Sequence, residues 1–382
     1  MVRNREIERL KGLGILMVLL TQHKYIYDLL HVPEVFRRSW GGADVFFVIT
    51  GFLASAMLDH LLPERPDKRG WAERLDDARP ALKKFFANRF FRIAPTSLFW
   101  TVIALSMYPV LFPSGPAAFV TFFIKTGLAI VTLSQNYLLA VDGVTYYRPT
   151  GPFWAGMVQI HFLILIPFFW VIFNTFSKRL AACMALILVL LPLSRLLPLP
   201  SGIPPENLDL YFQFATHRRI HAQFFGVFVF LLHQRGWLGS LRSLGKARLT
   251  AIAAFALLAI WTIFATFPDG DYGGSIVFFL VAALASILLM AASFRVGILS
   301  FGPCNAPLEY LGARSLELYL VSFPVRHFTR ALFPNAFQSL GPSATLWTDV
   351  LTASLTLLVA HLSFQFFVKP VMSGKRLPVP IS

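Results

Sequence analysis

The stretch AAFVTFFIKTGLAIVTLSQNYLLA, residues 117–140, decides the topology of this chain. It is the fourth of eleven apolar runs, which start near residues 12, 41, 84, 117, 152, 180, 217, 250, 274, 309 and 346. A bilayer-spanning helix needs roughly 20 mostly apolar residues, and the charges between the runs say whether all eleven cross. Arg3, Arg5, Arg9 and Lys11 place the N-terminus on the cytoplasmic side, because basic residues concentrate in cytoplasmic loops. Arg65, Lys68, Arg69, Arg74, Arg79, Lys83 and Lys84 do the same for the segment after the second run. If residues 117–140 cross, Lys178, Arg179, Arg235, Arg242, Lys246 and Arg248 face outward while Asp269 and Asp271 face inward, the reverse of that rule. If they do not fully cross, every one of these assignments corrects itself, and Lys369, Lys375 and Arg376 also end inside. Lys125 lies mid-run, where a charge costs about 2.5–3.5 kcal/mol on insertion scales. The expectation is an all-α polytopic membrane protein with about ten transmembrane helices, cytoplasmic N- and C-termini, and a re-entrant or interfacial segment near 117–140.

Composition supports the same class. The 382 residues are 56% hydrophobic and 14% charged, with a mean hydropathy of +0.63. Soluble domains carry about 25% charged residues, so a water-soluble fold is excluded, and 15% aromatic content excludes a disordered chain. The polar stretches are too short to fold separately, so residues 1–382 read as a single integral membrane domain with a basic cytoplasmic loop at 63–83. The net charge of +15 sits in short loops, which argues for membrane orientation and against nucleic-acid binding. Cys183 and Cys304 make neither a disulfide framework nor a metal-ligand spacing, and no metal is expected. The apolar run after the basic N-terminus lacks a small-residue cleavage site and reads as an uncleaved first span.

Ionisable side chains inside spans are functional candidates. His23 lies in the first run between Gln22 and Lys24, and Asp44 opens the second. For each, a buried structural contact or a helix-start acid favoured by the dipole is the competing reading. Arg89 and Arg92 open the third run, three residues apart and so on one helical face, after Lys83 and Lys84. The helix dipole disfavours cations there. Either they snorkel to the interface, or guanidinium forks and helix-start amides gather a phosphate. The fifth run carries Trp154, Gln159 and His161. The seventh carries His217, Arg218, Arg219, His221 and Gln223, and the tenth carries Glu317, Ser322, Arg326 and His327. Singly these are buried polar contacts; together they suggest a polar cavity opening outward, above a cytoplasmic anion site.

The order of these motifs resembles the acyltransferase family 3 membrane proteins, which O-acylate bacterial surface glycans and related acceptors. Ile7-Glu8-Arg9-Leu10-Lys11-Gly12 followed by His23 is similar to the family's start, and Asp44-Val45-Phe46-Phe47-Val48-Ile49-Thr50-Gly51-Phe52 to its second-span signature. Arg89-Phe90-Phe91-Arg92-Ile93-Ala94-Pro95 is similar to its paired-arginine motif. Ser134-Gln135-Asn136-Tyr137, the Trp154 segment, Thr216 to Gly226, and Leu311-Gly312 to Tyr319-Leu320 follow in order. The resemblance implies a protein of the bacterial inner membrane with acyl-CoA, acetyl-CoA foremost, as donor and no tightly bound cofactor. Lys11, Arg89 and Arg92 would hold the donor. His23 would be the general base, with His161 and His221 as substitutes. Gln159 or Ser322 would stabilise the oxyanion, and Asp44, Trp154, Arg219 and His221 would bind the acceptor, a glycan, a lipid-linked saccharide or another hydroxyl compound. Membrane lipid is the surrounding partner.

Four positions depart from the family pattern. The usual spacing from Lys11 to a histidine lands on Gln22, one residue or about 100° of helix from His23. Gln159 stands where a carboxylate is usual, His221 where Asp is usual and Ser322 where His is usual. These departures keep a non-catalytic, ligand-binding member in view. A transporter built around the broken 117–140 segment is the remaining alternative.

Overall fold

The structure, a computed structural model, describes residues 4–22, 41–64, 69–111, 115–143, 150–196, 203–204, 207–263, 276–294, 296–333 and 344–370. The described residues form helices α1 (Arg5–Leu20), α2 (Gly42–Leu61), α3 (Trp71–Ser106), α4 (Pro116–Val131), α5 (Gln135–Asp142), α6 (Phe153–Ile172) and α7 (Phe176–Leu196). They continue as α8 (Leu208–Phe214), α9 (Thr216–Arg219), α10 (His221–Gln234), α11 (Gly245–Ile263), α12 (Ile276–Ser293), α13 (Asn305–Ala313), α14 (Ser315–Leu332) and α15 (Ala344–Ser363). Among the described residues, five stretches are long and apolar enough to cross a membrane: α2, α6, α11, α12, and Leu346–Val368, which runs from α15 into a π-helical turn.

Local sequence explains the ends of α1. The Asn4 side chain accepts hydrogen bonds from the Glu6 and Ile7 amides, and Glu6 and Glu8 lie in the first turn, where the dipole favours acids. The helix stops at Thr21, whose hydroxyl turns back to the Val18 carbonyl. Gln22 therefore follows the helix in a turn, its amide bonded to the Leu19 carbonyl. The 100° step between Gln22 and His23 assumed a helix through both positions, and that premise fails at Gln22. His23 itself lies outside the described residues.

Two glycine contacts set the packing. A β-carbon on Gly51 of α2 would collide with the Gln223 carbonyl of α10, and one on Gly226 with the Val48 carbonyl. Gly12 of α1 and Gly312 of α13 oppose each other in the same reciprocal way through the Leu308 and Glu8 carbonyls. Such backbone-to-backbone approach is how helices associate where lipid supplies no hydrophobic drive. Asp44 faces Arg219, Phe52 faces Phe230, and Asp59 faces Gln234, so α2 and α10 run parallel.

One end of the bundle is laced together by ionic contacts. Arg179 at the start of α7 donates to Asp59 and to the Leu62, Phe173 and Trp170 carbonyls. Glu64 accepts from the Phe176 amide and from Arg235. Glu6 accepts from the Gly297 and Leu299 amides, and Arg9 pairs with Glu309. This is the basic end, and the far end holds the starts of α2, α6 and α10.

One expectation changes here. The stretch 63–83, read as a loop, is helical from Trp71 onward and belongs to α3, a 36-residue helix with Pro80 and Pro95 inside it. Its apolar positions Ala78, Leu82 and Phe85 recur at helical spacing and are buried, which the dense basic charge of the sequence hid. Residues 117–140 are two helices broken at Leu133, which takes φ +58. Lys125 of α4 and Asp142 of α5 approach to 3.4 Å. A continuous helix would hold residues with that separation about 25 Å apart, so the segment folds back on itself.

Candidate functional site

At the far end, Phe153 and Trp154 open α6 and wedge between two apolar clusters, one built on α2, α10 and α12 and the other on α1 and α14. Beside this wedge Arg219 Nη2 donates to both Asp44 oxygens, each at 2.9 Å, with the two residues 1% and 0% exposed. The guanidinium lies 3.7 Å over the Phe278 ring and 5.5 Å from Trp154. Phe47 packs edge-on to Trp154. A carboxylate and a guanidinium can share so dry a place only because each neutralises the other. Asp44, Trp154 and Arg219, singled out separately in the sequence, thus form one unit.

Behind Trp154, a polar chain crosses four helices. The Asn136 amide donates to Thr216 Oγ1 and to the Phe214 carbonyl, and Thr216 Oγ1 meets His161 Nδ1 at 2.7 Å. His161 also interacts with the backbone of Leu133, the residue at the α4–α5 break. His217 is held between Tyr137 and Tyr211, one phenol at each ring nitrogen, both at 3.3 Å. His221 stacks on Phe279. Among the described residues, buried atoms of Asn136, Arg219, His221 and Gln223 keep hydrogen-bonding capacity without a partner. Buried polar groups are otherwise nearly always satisfied, so these atoms have the capacity to bond a polar ligand or water. Gln159 lies half-buried on α6.

On the α14 side, Gln22 Nε2 donates to Ser322 Oγ at 3.0 Å, both residues being buried, and the Ser322 hydroxyl in turn donates to the Tyr319 carbonyl. Gln22 and Ser322 are the two positions where the family spacing places histidines, and the fold brings them into direct contact. The sequence offered no reason to pair them. The signal available was positional, since each lies ten residues beyond one of the opposed glycines, Gly12 and Gly312.

Toward the basic end, Arg89 Nη2 donates to the Leu53 carbonyl while the guanidinium lies 5.5 Å over Phe85. Its Nε is buried with no partner among the described residues. Exposed Arg92 lies close enough to Arg89 for the two charges to repel. Lys11 pairs with Glu8 at 3.1 Å. Among the described residues no group of histidines, cysteines or carboxylates could hold a metal ion.

Comparison with known proteins identifies the family. A family profile described as an acyltransferase domain, family 3, matches residues 4–363. This chain belongs to that family. Its similarity to curated proteins is distant. YrhL of Bacillus subtilis, named provisionally as a peptidoglycan O-acetyltransferase, is 25% identical over 86% of this chain and 50% of its own length. The peptidoglycan O-acetyltransferase OatA of Listeria monocytogenes is 21% identical over 86% of this chain and 51% of its own. The O-acetyltransferase OatA of Staphylococcus aureus is 22% identical over 86% and 52%. The chain thus spans about half the length of the curated relatives it matches. No solved structure matches significantly.

Proposed function

We propose that this chain is a membrane O-acyltransferase that moves an acyl group, acetyl foremost, from cytosolic acyl-CoA to a hydroxyl of a glycan or exopolysaccharide at the outer face. The observation that carries the reading is the acyltransferase-domain match over residues 4–363. The relatives' names favour peptidoglycan as the acceptor class. The reading places the chain in the bacterial inner membrane, with ten crossings, both termini cytoplasmic and α4–α5 as a re-entrant hairpin. The Lys125–Asp142 contact and the basic end support that topology.

Donor binding falls to Arg89, Arg92 and Lys11. Two repelling guanidinium groups, one with an unspent buried N–H, are relieved by an anion that bridges them, as the CoA phosphates would. His23 is the proposed base, with His161 or His221 as substitutes, because a neutral imidazole can take a proton at physiological pH. It removes the acceptor hydroxyl proton as the oxygen attacks the thioester carbonyl. The tetrahedral intermediate collapses with cleavage of the C–S bond, and the imidazolium returns its proton to the CoA thiolate. Gln159 or Ser322 donates to the oxyanion, an effect worth about 3–4 kcal/mol in known sites. Ser322 must release the Tyr319 carbonyl to do so. The Asp44–Arg219–Trp154 unit shapes the acceptor side, and the apolar walls keep water from the thioester.

The Gln22–Ser322 contact favours a second reading. A hydrogen bond between two non-basic groups where histidines are usual suits a member that binds donor or glycan without turning them over.

The deciding experiment is acyl-CoA turnover by purified protein with peptidoglycan fragments and mixed surface glycans, for wild type, His23→Ala, Gln22→Ala and Arg89→Ala/Arg92→Ala. Acceptor-dependent turnover that is lost in His23→Ala and in the double arginine variant, and retained in Gln22→Ala, supports the enzyme. Arginine-dependent acyl-CoA binding without turnover in any version supports the second reading. Absence of acyl-CoA binding sinks both.

A further inference from the structure

A cavity of about 210 Å³ opens at the basic end, between the first turns of α3 and the ends of α2 and α6. Its apolar wall includes Leu61, Leu62, Ala78 and Val171, and its polar wall carries Arg69, Arg74, Asp77, Asn174 and Arg179. The charges there do not cancel. Arg69 pairs with Asp77 at 2.6 Å, and Arg179 pairs with Asp59 while its other N–H groups face carbonyls. Among the described residues Arg74 pairs with no carboxylate: its Nε meets the Gly70 carbonyl at 3.4 Å, and its buried Nη1 has no partner. Exposed Lys178 adds positive charge beside Asn174. A buried guanidinium N–H without an acceptor is costly, and an anionic oxygen is the group that best removes that cost.

We infer that this cavity binds a phosphate ester, in the first place the headgroup of an anionic membrane lipid. The mixed wall favours this source, since the guanidinium would meet the phosphate while the leucines and valine meet the glycerol and first methylenes. The segment that supplies Arg74 packs its apolar Ala78, Leu82 and Phe85 against the protein, and its Arg79, Lys83 and Lys84 are exposed. That positive face attracts anionic headgroups. The site is separate from the donor arginines, because Arg74 and Arg89 are about 22 Å apart along the helix. It does not rest on the acyl-transfer reading. A CoA phosphate is the other source of the same chemistry.

The test titrates full-length protein in neutral detergent with dihexanoyl phosphatidylglycerol, dihexanoyl phosphatidylcholine and CoA, reading bound ligand by native mass spectrometry, for wild type, Arg74→Gln and Arg74→Lys. The expected result is phosphatidylglycerol binding that exceeds phosphatidylcholine binding, falls about tenfold in Arg74→Gln and recovers in Arg74→Lys, equivalent to about 1.4 kcal/mol. An unchanged thermal transition verifies that Arg74→Gln is folded. Dependence on Arg74 for CoA but not for phosphatidylglycerol keeps the phosphate site and assigns it to the donor. Equal binding of both lipids, or equal binding of every probe by wild type and Arg74→Gln, overturns the inference.

Discussion

Asp44–Arg219 and Gln22–Ser322 are both buried, and each ties together two segments at the far end. The first is a desolvated ion pair ringed by Phe47, Trp154 and Phe278. The second is a single neutral hydrogen bond. Removing one member of a buried ion pair strands a charge, whereas removing one member of a neutral pair strands only a dipole. The contrast separates what holds the bundle together from what is free to vary. The ion pair acts as a lock between α2 and α9, the short helix leading into α10, while the neutral pair occupies a place where different chemistry could stand at little cost to the fold.

Breaking the lock should have the largest effect. Arg219→Met leaves the Asp44 carboxylate uncompensated and should cost about 3–5 kcal/mol, read as a loss of folded protein or a large fall in the thermal transition in detergent. Asp44→Leu/Arg219→Met should be less damaging than either single change. If the double variant is the worst of the three, the ion pair is not what the singles are sensing.

Next in size is Gly51→Ala, whose methyl meets the Gln223 carbonyl. Overpacking at such a contact costs about 1–3 kcal/mol, and unchanged stability in denaturant titration would mean that α2 and α10 can separate freely. Ser322→Ala removes two neutral hydrogen bonds, one from Gln22 and one to the Tyr319 carbonyl, and should cost about 1–2 kcal/mol, leaving folding yield near wild type. A loss as large as that of Arg219→Met would erase the contrast between the two contacts. Smallest is Lys125→Ala: the lysine is half-exposed, and such pairs are worth about 0–1 kcal/mol. Cysteines placed at Lys125 and Asp142 should nevertheless cross-link with a short reagent, and failure to do so would refute the α4–α5 fold-back.

Much of the helical layout was legible. Each of the eleven apolar runs lies at a helix or a closely spaced helix pair, because about 20 apolar residues leave the backbone little choice but to satisfy its own hydrogen bonds. That 117–140 is not one uninterrupted helix was foreshadowed by the mid-run Lys125. The helical start of α3 was not, since its basic residues mask three well-spaced apolar positions. Of the site, the sequence supplied Asp44, Trp154, Arg219 and His161 as separate candidates. It gave no sign that Asp44 closes on Arg219, 175 residues away, or that His161 reaches Thr216. Side chains so distant in the chain meet only through helix packing, which local periodicity does not encode.

By itself, then, the sequence determined that this is a membrane-embedded helical protein, where its apolar helices lie, and that its motifs run in the order of an acyltransferase family. Those features depend on hydropathy, charge asymmetry and spacing, which act over about 20 residues at a time. Only the tertiary structure decided which polar groups spend their hydrogen bonds on one another and which keep them in reserve. Asp44, Ser322 and Arg179 are spent, whereas Arg89, Arg74 and Gln223 retain unpaired polar atoms among the described residues. The physical reason is that a polar side chain in a dry interior takes whatever partner the crossing helices bring within about 3 Å, and glycine-to-backbone contacts fix those crossings.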